Sequence, residues 1–446
     1  MPFLSSRWDP PLRSPRDRRD RFVNYSGAVV RAPAGWDAPA DEADTAKAVI
    51  AAAAAGRRIR VVGAGHSWSP IAAPDDRAMT LDQVKGIVAR GPGWVRVRAG
   101  TRVRELNQAL AAAGEALPIQ SSITHQSVAG AVATATHGSS LVHGNLSSLV
   151  LGARLVVGDG TTVEVAGDDP RLDAVRVHLG ALGIITELTL RTEPAFRLAE
   201  SIEAIPLHRV AAQVEDISAS AEYVKIWWMP HTADVLVFRY ERTEEETTGW
   251  PSPQLHRLVE MWVPKVVLPP VLAWHRRRPD AVPAFNRIAL RQLSKKRRVG
   301  PSDLMLTGPD PFRHYETEAA VPLAAGGEAF DRTVRLIERL GVRANFILEL
   351  RFGRHDRAWL SPAHDRDVVN LGACTAVTRH REPYFRAFWE EMGPLGGRPH
   401  WAKEMDHDAV ELRSLYPQMD RFVALRNELD PGRVFSNRFL DRVLGE

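Results

Sequence analysis

The feature that most constrains this chain is a glycine turn that follows a short apolar strand near residue 60. A strand is indicated by the β-branched Ile59, Val61 and Val62. Gly63-Ala64-Gly65 ends the strand, and His66 follows directly. Glycine lacks Cβ and accepts positive φ, so such a turn brings backbone N–H groups close to an anion such as a pyrophosphate. On these residues alone, an ordinary strand-to-helix turn explains the stretch equally well.

Two better-known glycine motifs are excluded at this position. The dinucleotide fingerprint needs a third glycine three residues after the second, and Trp68 stands there. The hydrolase elbow G-x-S-x-G needs glycine at the position of Ser69. The turn therefore belongs to neither class.

A second stretch, residues 127–140, consists almost entirely of small residues with interspersed hydroxyls. Such a run lets the backbone pass close to a flat or anionic ligand, and a tightly packed buried helix or turn explains it equally well. Gly183, followed by two isoleucines, offers a third place for such an approach.

The surrounding pattern predicts alternating helices and strands. An alanine-rich segment predicts a helix over 44–55, and a second helix is expected from a cap at Thr101 to residue 110. Alternating apolar and polar residues predict strands over 95–99 and 186–191. A hairpin is expected over 149–165, with its turn at 158–160.

Composition bounds the function classes. A chain of 446 residues has room for two or three domains. Its one cysteine, Cys374, excludes an intramolecular disulfide and fits a reducing cytosol. The net charge of +4 is a small difference between 58 basic and 54 acidic residues, so nucleic acid is not expected as a partner.

No membrane-spanning or secretion segment is expected. The first residues are polar and the first 20 are rich in arginine, aspartate and proline, which predicts a disordered tail without an apolar signal core. Residues 258–274 form the longest near-apolar stretch, but Glu260 and three prolines interrupt it. A kinked, buried segment of a second domain explains it better than a segment at a membrane surface. The histidines show no metal-ligand spacing, so no metal site is expected.

Several motifs together resemble the flavin enzymes that oxidise sugar lactones. They are VVGAGHS at 61–67, HGS at 137–139, RVHLGALGII at 176–185, YVKIWWMP at 223–230, ELRF at 349–352, RPHWAK at 398–403 and DPGRVFSN at 430–437. The sugar-1,4-lactone oxidases, which include L-gulono-1,4-lactone, D-arabinono-1,4-lactone and alditol oxidases, are vanillyl-alcohol-oxidase-type FAD flavoproteins. The resemblance extends over about residues 18 to 445.

This resemblance implies an α+β fold with a two-subdomain FAD-binding domain and an α+β cap domain that covers the substrate. The implied boundaries are a disordered tail over 1–20, the FAD-binding domain over 21–194, the cap over 195–394 and a segment over 395–446 that returns to the flavin. The implied cofactor contacts are Gly63, Ala64, Gly65, His66, Ser67, Ser127, Gly130, Thr134, His137, Gly138, Ser139, Gly183, Ile185 and Asn437. His66 would carry FAD covalently, since a neutral imidazole is nucleophilic near neutral pH.

Four residues would carry the chemistry. Glu349 and Arg351 lie two apart on an apolar strand, so both project from one face. A self-satisfied salt bridge explains them without the resemblance; with it, Arg351 would stabilise negative charge on the flavin and Glu349 would hold substrate hydroxyls and help to take the proton. Lys403 would be a second cation, and His400 either an acid–base group or a packing residue.

The implied reaction is hydride transfer from an alcohol carbon of a lactone or polyol to flavin N5, with reoxidation by O2. The alternative is a dehydrogenase of the same fold that passes electrons from a non-sugar alcohol to a quinone or cytochrome, with a possible peripheral membrane contact. A non-catalytic nucleic-acid-binding protein is a distant third hypothesis, and it leaves the Glu349/Arg351 pair without a purpose. One departure from the family is Ala319, where tyrosine is usual. A cytoplasmic location is expected.

Overall fold

The structure is a computed structural model that describes residues 14–248, 266, 268–293, 297–308, 313–344, 347–375 and 381–445. The predicted tail over 1–20 and the near-apolar stretch over 258–274 lie mostly outside the described residues. Within the first of them, Arg16 forms an antiparallel bridge with Phe22.

Three small sheets and one larger sheet form the N-terminal region. Its strands are β1 (Phe22–Val23), β2 (Val30–Arg31), β3 (Gly35–Asp37), β4 (Ile59–Val61), β5 (Arg77–Met79), β6 (Ile87–Gly91), β7 (Trp94–Arg98), β8 (Glu115–Ala116), β9 (Val150–Val156), β10 (Thr162–Ala166), β11 (Ile184–Arg191) and β12 (Glu193–Pro194). Its helices are α1 (Glu42–Ala54), α2 (Val103–Ala112), α3 (Val128–Ala133) and α4 (Leu172–Val175).

The position of the glycine turn follows from the arrangement of two of these sheets. β3, β5 and β4 pair in parallel in that order, with α1 as the crossover between β3 and β4. The carboxylate of Asp41 caps α1 by accepting a hydrogen bond from the N–H of Asp44. The other sheet is antiparallel in the order β10-β9-β11-β7-β6. The turn after β4 therefore lies at the carboxyl end of a parallel sheet.

An eight-stranded antiparallel sheet organises the rest of the chain. Its strands are β13 (Arg197–Pro206), β14 (Tyr223–Trp228), β15 (Asp234–Thr243), β16 (Arg298–Pro301), β17 (Tyr315–Pro322), β18 (Leu348–Gly353), β19 (Val368–Thr375) and β20 (Arg398–Pro399), in the order β16-β13-β15-β14-β18-β19-β17-β20. The helices of this part are α5 (Leu207–Ser218), α6 (Leu268–Arg277), α7 (Val282–Leu293), α8 (Ser302–Met305), α9 (Gly326–Arg339), α10 (Arg381–Met392), α11 (Ala409–Leu415), α12 (Met419–Leu429) and α13 (Arg438–Leu444).

The two faces of this large sheet have opposite character because side chains alternate along each strand. One face carries apolar residues that pack with α5, α9 and α10, among them Val224, Ile226, Trp228, Leu348, Leu350 and Phe352. The residues between them point to the other face: Lys225, Trp227, Glu349 and Arg351. We call this second face the charged face. The alternation thus places the polar side chains on the face of the sheet that does not pack against these helices.

The C-terminal segment ties the end of the chain to its beginning. The N–H of Ile59 donates to the carbonyl of Val434 at 2.7 Å, and the side-chain amide of Asn437 donates to the carbonyl of Ala73 at 2.9 Å. The proposed division at residue 195 falls between β12 and β13, and the one at residue 395 falls just before β20.

The predicted elements compare well with the structure except at one cap. The helix expected over 44–55, the strands over 95–99 and 186–191, and the 149–165 hairpin are confirmed within two residues. The prediction that Thr101 caps α2 was wrong, because its hydroxyl accepts from the N–H of Gly86 at 2.9 Å instead. Arg102 stands at the cap position, and the carboxylate of Glu105 accepts from its N–H.

Candidate cofactor and active site

A cleft opens between the turn after β4, the start of α3 and the loop before β11. Ten of the predicted cofactor contacts line it: Gly63, Ala64, Gly65, His66, Ser67, Ser127, Gly130, Thr134, Gly183 and Ile185. Tertiary structure thus brings together all three of the small-residue stretches that the sequence singled out.

The cleft walls need glycine at specific points. A Cβ on Gly63 would lie 2.4 Å from the hydroxyl oxygen of Ser127. Gly65 has φ of +65°; Gly183 has φ of +148°, and a Cβ added there would lie only 2.8 Å from the carbonyl oxygen of Val156. Side chains at these points would fill the space or strain the backbone. The bare backbone therefore forms the wall, as a large planar or anionic ligand requires.

His66 lies buried at the end of the cleft. Its Nδ1 is 2.9 Å from Nε2 of His125, and its Nε2 has no hydrogen-bond partner among the described residues. Burial, together with the charges of His125 and Lys403, holds the pKa of His66 well below its usual value. A neutral imidazole with one unengaged nitrogen faces the ligand space, and that is the nucleophilic form.

A second buried histidine supplies a donor to the same cleft. Nδ1 of His178 accepts from the N–H of Gly180 at 3.1 Å, and burial lowers the pKa of His178 to about 3. The ring is therefore neutral with its proton on Nε2, an atom that has no partner within the described residues. This donor fits a ligand that carries hydrogen-bond acceptors.

Arg60, within β4, is a buried cation that the sequence analysis missed. Its guanidinium donates to backbone carbonyls of Ile71, Leu179, Gly180 and Phe435. It thereby fixes three separate cleft segments and leaves positive charge beside the cleft. An arginine inside an otherwise apolar strand was the available signal, since arginine is seldom fully buried without partners.

Four predicted cofactor contacts lie outside this cleft: His137, Gly138, Ser139 and Asn437. Nε2 of His137 bonds a carboxylate oxygen of Glu318 at 2.8 Å. The hydroxyl of Ser139 donates to the carbonyl of Val224 and accepts from the N–H of Phe352. These groups join the small-residue loop to the large sheet, while Asn437 caps α13 and holds residues 70–73.

Glu349 and Arg351 lie side by side on the charged face, as their spacing predicts. A guanidinium nitrogen of Arg351 donates to Glu349 at 2.6 Å and to the hydroxyl of Ser122 at 2.8 Å, and the indole N–H of Trp227 donates to Glu349 at 2.7 Å. Burial alone would raise the pKa of Glu349, but Arg351 and Lys225 hold it below its usual value. Glu349 is thus an ionised hydrogen-bond acceptor with weak basicity.

Lys403 brings a second cation to the same face. Its ammonium pairs with the carboxylate of Glu316 and lies 3.7 Å from that of Glu318, over the ring of Trp68 at 4.3 Å. Burial would lower the pKa of Lys403, but the two carboxylates raise it above its usual value. Lys403 therefore stays charged beside His66.

His400 is neutral and acts as a donor in this structure. Its Nδ1 accepts from the N–H of Ala402 at 3.1 Å, so the proton lies on Nε2. Burial lowers the pKa of His400 to about 3. A ring in this state donates a hydrogen bond and is a poor base at neutral pH.

Two sets of three potential metal ligands come together here, which spacing along the chain did not show. They are His137, Glu318 and His400, and His314, Glu316 and Cys374. The ammonium of Lys403 already lies against both glutamates. A cation in that position repels a metal ion, so the ion pairs account for both sets.

The residues that sequence reasoning missed share one property. Contacts between segments more than 40 residues apart make site residues of Arg60, Ser122, His125, Lys225, Trp227, Glu316 and Glu318. Besides Arg60, only the polar residues at alternate positions of 223–228 and 315–322 offered a signal.

Comparisons with known proteins agree with this geometry. The model of a family described as D-arabinono-1,4-lactone oxidase matches residues 188–443, and one described as an FAD binding domain matches residues 33–166. The L-gulono-1,4-lactone dehydrogenase of Mycobacterium tuberculosis is 33% identical over 95% of this chain and 99% of that protein. The alditol oxidase of a Streptomyces species is 31% identical over 85% of this chain and 89% of that protein.

Among solved structures, cholesterol oxidase from Brevibacterium sterolicum superimposes with a TM-score of 0.81 at 19% identity, over 98% of this chain and all of that one. That likeness shows the fold, a PCMH-type FAD-binding domain with an α+β cap. The cleft's bare backbone and unengaged buried donors fit FAD. The chain belongs to the D-arabinono-1,4-lactone oxidase family of FAD-dependent oxidoreductases that act on alcohol groups.

Proposed function

We propose that this enzyme oxidises an alcohol carbon of a sugar lactone or polyol, of the L-gulono-1,4-lactone or D-arabinono-1,4-lactone type. The observation that carries the proposal is the Glu349–Arg351 pair on the charged face, held by Trp227 and Ser122. FAD supplies the two-electron acceptor. The relatives named above support the substrate class, since their names specify lactones and an alditol.

The charge state of each site residue determines its proposed role. Arg351 and Lys403 stay protonated and place positive charge where negative charge grows during hydride removal. Glu349 accepts hydrogen bonds from substrate hydroxyls and so orients the reacting carbon. The donor Nε2–H of His400 binds a substrate oxygen. Because its pKa is low, Glu349 mainly orients the substrate. The hydroxyl proton released as the hydride leaves passes to solvent, directly or through this carboxylate.

His66 would hold FAD covalently through its unengaged ring nitrogen. The neutral state of the ring and its contact with His125 support this part of the proposal. The ten cleft residues named above would contact the cofactor, with Gly63 to Ser67 and Ser127 next to its anionic groups. A tethered flavin stays bound through turnover.

O2 is the proposed final acceptor, and a dehydrogenase is the second candidate. The second is favoured by one observation, the name of the mycobacterial relative. A cytoplasmic location, with or without peripheral membrane contact, remains part of the proposal. In the described part of the chain, every helix is too short or too polar to cross a bilayer.

Anaerobic reduction of the bound flavin tests the proposal. L-gulono-1,4-lactone, D-arabinono-1,4-lactone and D-glucitol are mixed in turn with the holoprotein, and loss of flavin absorbance is followed. We expect at least one to bleach the flavin, and Arg351→Met to lower kcat/KM by about 100-fold to 1000-fold. Admission of air then separates the acceptors: fast recovery of absorbance marks an oxidase, and recovery only with a quinone marks a dehydrogenase. Flavin that dithionite reduces but no sugar reduces would contradict the proposal.

A further inference from the structure

Lys225 is a cation on the charged face that the proposed chemistry does not use. It lies in the middle of β14, directly opposite Arg351 of β18. Its ammonium contacts three aromatic rings, with centroids at 4.7 Å for Trp227, 5.1 Å for Phe238 and 5.6 Å for Tyr240. The aromatic faces hold the charge in place without neutralising it.

Within the described residues, no ion pair or hydrogen bond to this ammonium is present. The carboxylate of Glu349, which attracts it, has other hydrogen-bond donors. Both oxygens of Glu349 already accept hydrogen bonds, one from Trp227 and one from Arg351. Burial lowers the pKa of Lys225, and the attraction of Glu349 offsets only part of that effect. A cation without a partner is costly to hold in such a place, so an acceptor from outside the chain would stabilise it.

Lys225 and Arg351 line the same small pocket between the large sheet and the loops that cover its charged face. Ser122, Ser139, Tyr240 and Leu306 also line it. The hydroxyl of Ser139 is engaged by two backbone groups, and that of Ser122 accepts from Arg351. The pocket therefore presents two cationic donors, and none of its described lining residues is a carboxylate.

We propose that Lys225 is a specificity-determining residue that binds the carboxyl-derived end of the substrate, a lactone carbonyl or a free carboxylate. Lysine and arginine only donate, so they match carbonyl and carboxylate oxygens better than hydroxyls, which bring protons of their own. The inference rests on the proposed function and narrows it, because it predicts a preference for lactones and aldonates over alditols.

The first test compares substrates in matched variants of the holoprotein. The ratio of kcat/KM for L-gulono-1,4-lactone to that for D-glucitol, the alditol with the same carbon skeleton, is measured under anaerobic reduction. We expect Lys225→Met to lower this ratio at least tenfold, chiefly through the KM for the lactone, because the contact is made in ground and transition states alike. Lys225→Arg keeps the charge and should retain most of the ratio. Lys47→Met makes the same substitution at an exposed position of α1 and should leave the ratio unchanged. An unchanged ratio in Lys225→Met overturns the inference.

The second test needs no turnover. L-gulonate, the open-chain carboxylate, is titrated into each holoprotein and the shift of the flavin absorbance gives Kd. We expect the Kd to rise at least tenfold in Lys225→Met and to stay near the wild-type value in Lys225→Arg. Equal affinity in wild type and Lys225→Met overturns the inference. If no sugar reduces the flavin but the affinity for L-gulonate falls in Lys225→Met, the proposed function fails while the anion site stands.

Discussion

At the scale of single residues, the two nitrogens of His66 have different surroundings. Nδ1 meets His125 at 2.9 Å, and Nε2 is buried without a partner in the described part of the chain. A buried polar atom left without a hydrogen bond is unfavourable unless something supplies the missing contact. The proposed bond to the cofactor would supply it, and the low pKa of the ring keeps the imidazole neutral, as that bond requires.

We therefore expect wild-type protein to retain its yellow colour and flavin fluorescence after acid precipitation. His66→Ala should bind FAD when folded and release it completely in acid, since the nucleophile is gone. His355→Ala, which removes an exposed histidine paired with Asp367, should behave as wild type. Release of flavin from the wild type would show that His66 only contacts the cofactor.

At the scale of elements, the cleft depends on the approach of the loop before β11 to β9. Gly183 has φ of +148°, and a Cβ there would lie 2.8 Å from the carbonyl oxygen of Val156. That oxygen belongs to the sheet backbone and cannot turn aside as a flexible side chain does. Gly86 also has positive φ, +108°, but a Cβ on it would meet open space. Alanine substitutions at Gly183 and Gly86 therefore distinguish the cost of backbone strain from the cost of a steric clash.

Gly183→Ala should lower the free energy of unfolding by about 3 kcal/mol or more, because it combines strain with a backbone clash. Gly86→Ala should cost about 1 to 2 kcal/mol, because only the strain applies. Both changes are made in the His66→Ala background, which should bind FAD reversibly. Thermal unfolding without FAD gives the stabilities, and FAD titration should show weaker binding for Gly183→Ala but not for Gly86→Ala. Equal effects at the two sites would refute the close approach.

At the scale of the whole molecule, the charged face closes against the FAD-binding domain through ion pairs that both parts build. Glu316 and Glu318 come from β17, Lys403 from the returning C-terminal segment and His137 from the small-residue loop. Burial by itself would raise the pKa of Glu316, but Lys403 and His314 lower it to about 2. A depressed carboxyl pKa stabilises the fold above the usual value of 4.5, and this stability is lost as the pH falls towards 2.

Glu316→Gln should therefore be less stable than wild type at neutral pH by about 3 kcal/mol, and the difference should shrink between about pH 5 and pH 2. The measurement is Tm by circular dichroism across that range. Glu244→Gln removes a fully exposed carboxylate and should follow the wild-type curve. Parallel curves for Glu316→Gln and wild type would show that the pair does not contribute to stability.

Much of this site was predictable from local sequence. One cleft is lined by the glycine turn at 63–65, small residues within 127–134 and Gly183. These are the three stretches in which the sequence predicts that the backbone passes close to a ligand. Glu349 and Arg351 share a strand face because their spacing is two. Thr101 was wrongly assigned as a cap because its hydroxyl has a partner in another segment, Gly86, that local pattern does not reveal.

The sequence by itself determined the elements and the strand positions that carry charge, because periodicity and backbone freedom are local properties. Its motifs indicated FAD only through their resemblance to a flavoprotein family. Tertiary structure decided what those groups do. It made His137 and Ser139 link the small-residue loop to the large sheet, and it lowered the basicity of Glu349 through hydrogen bonds from Arg351 and Trp227. It also left Lys225 without a counter-ion in the described structure, in a cage of aromatic rings. Charge state and hydrogen-bond partners depend on distances of a few ångströms between segments far apart in the chain, and only the folded structure sets them.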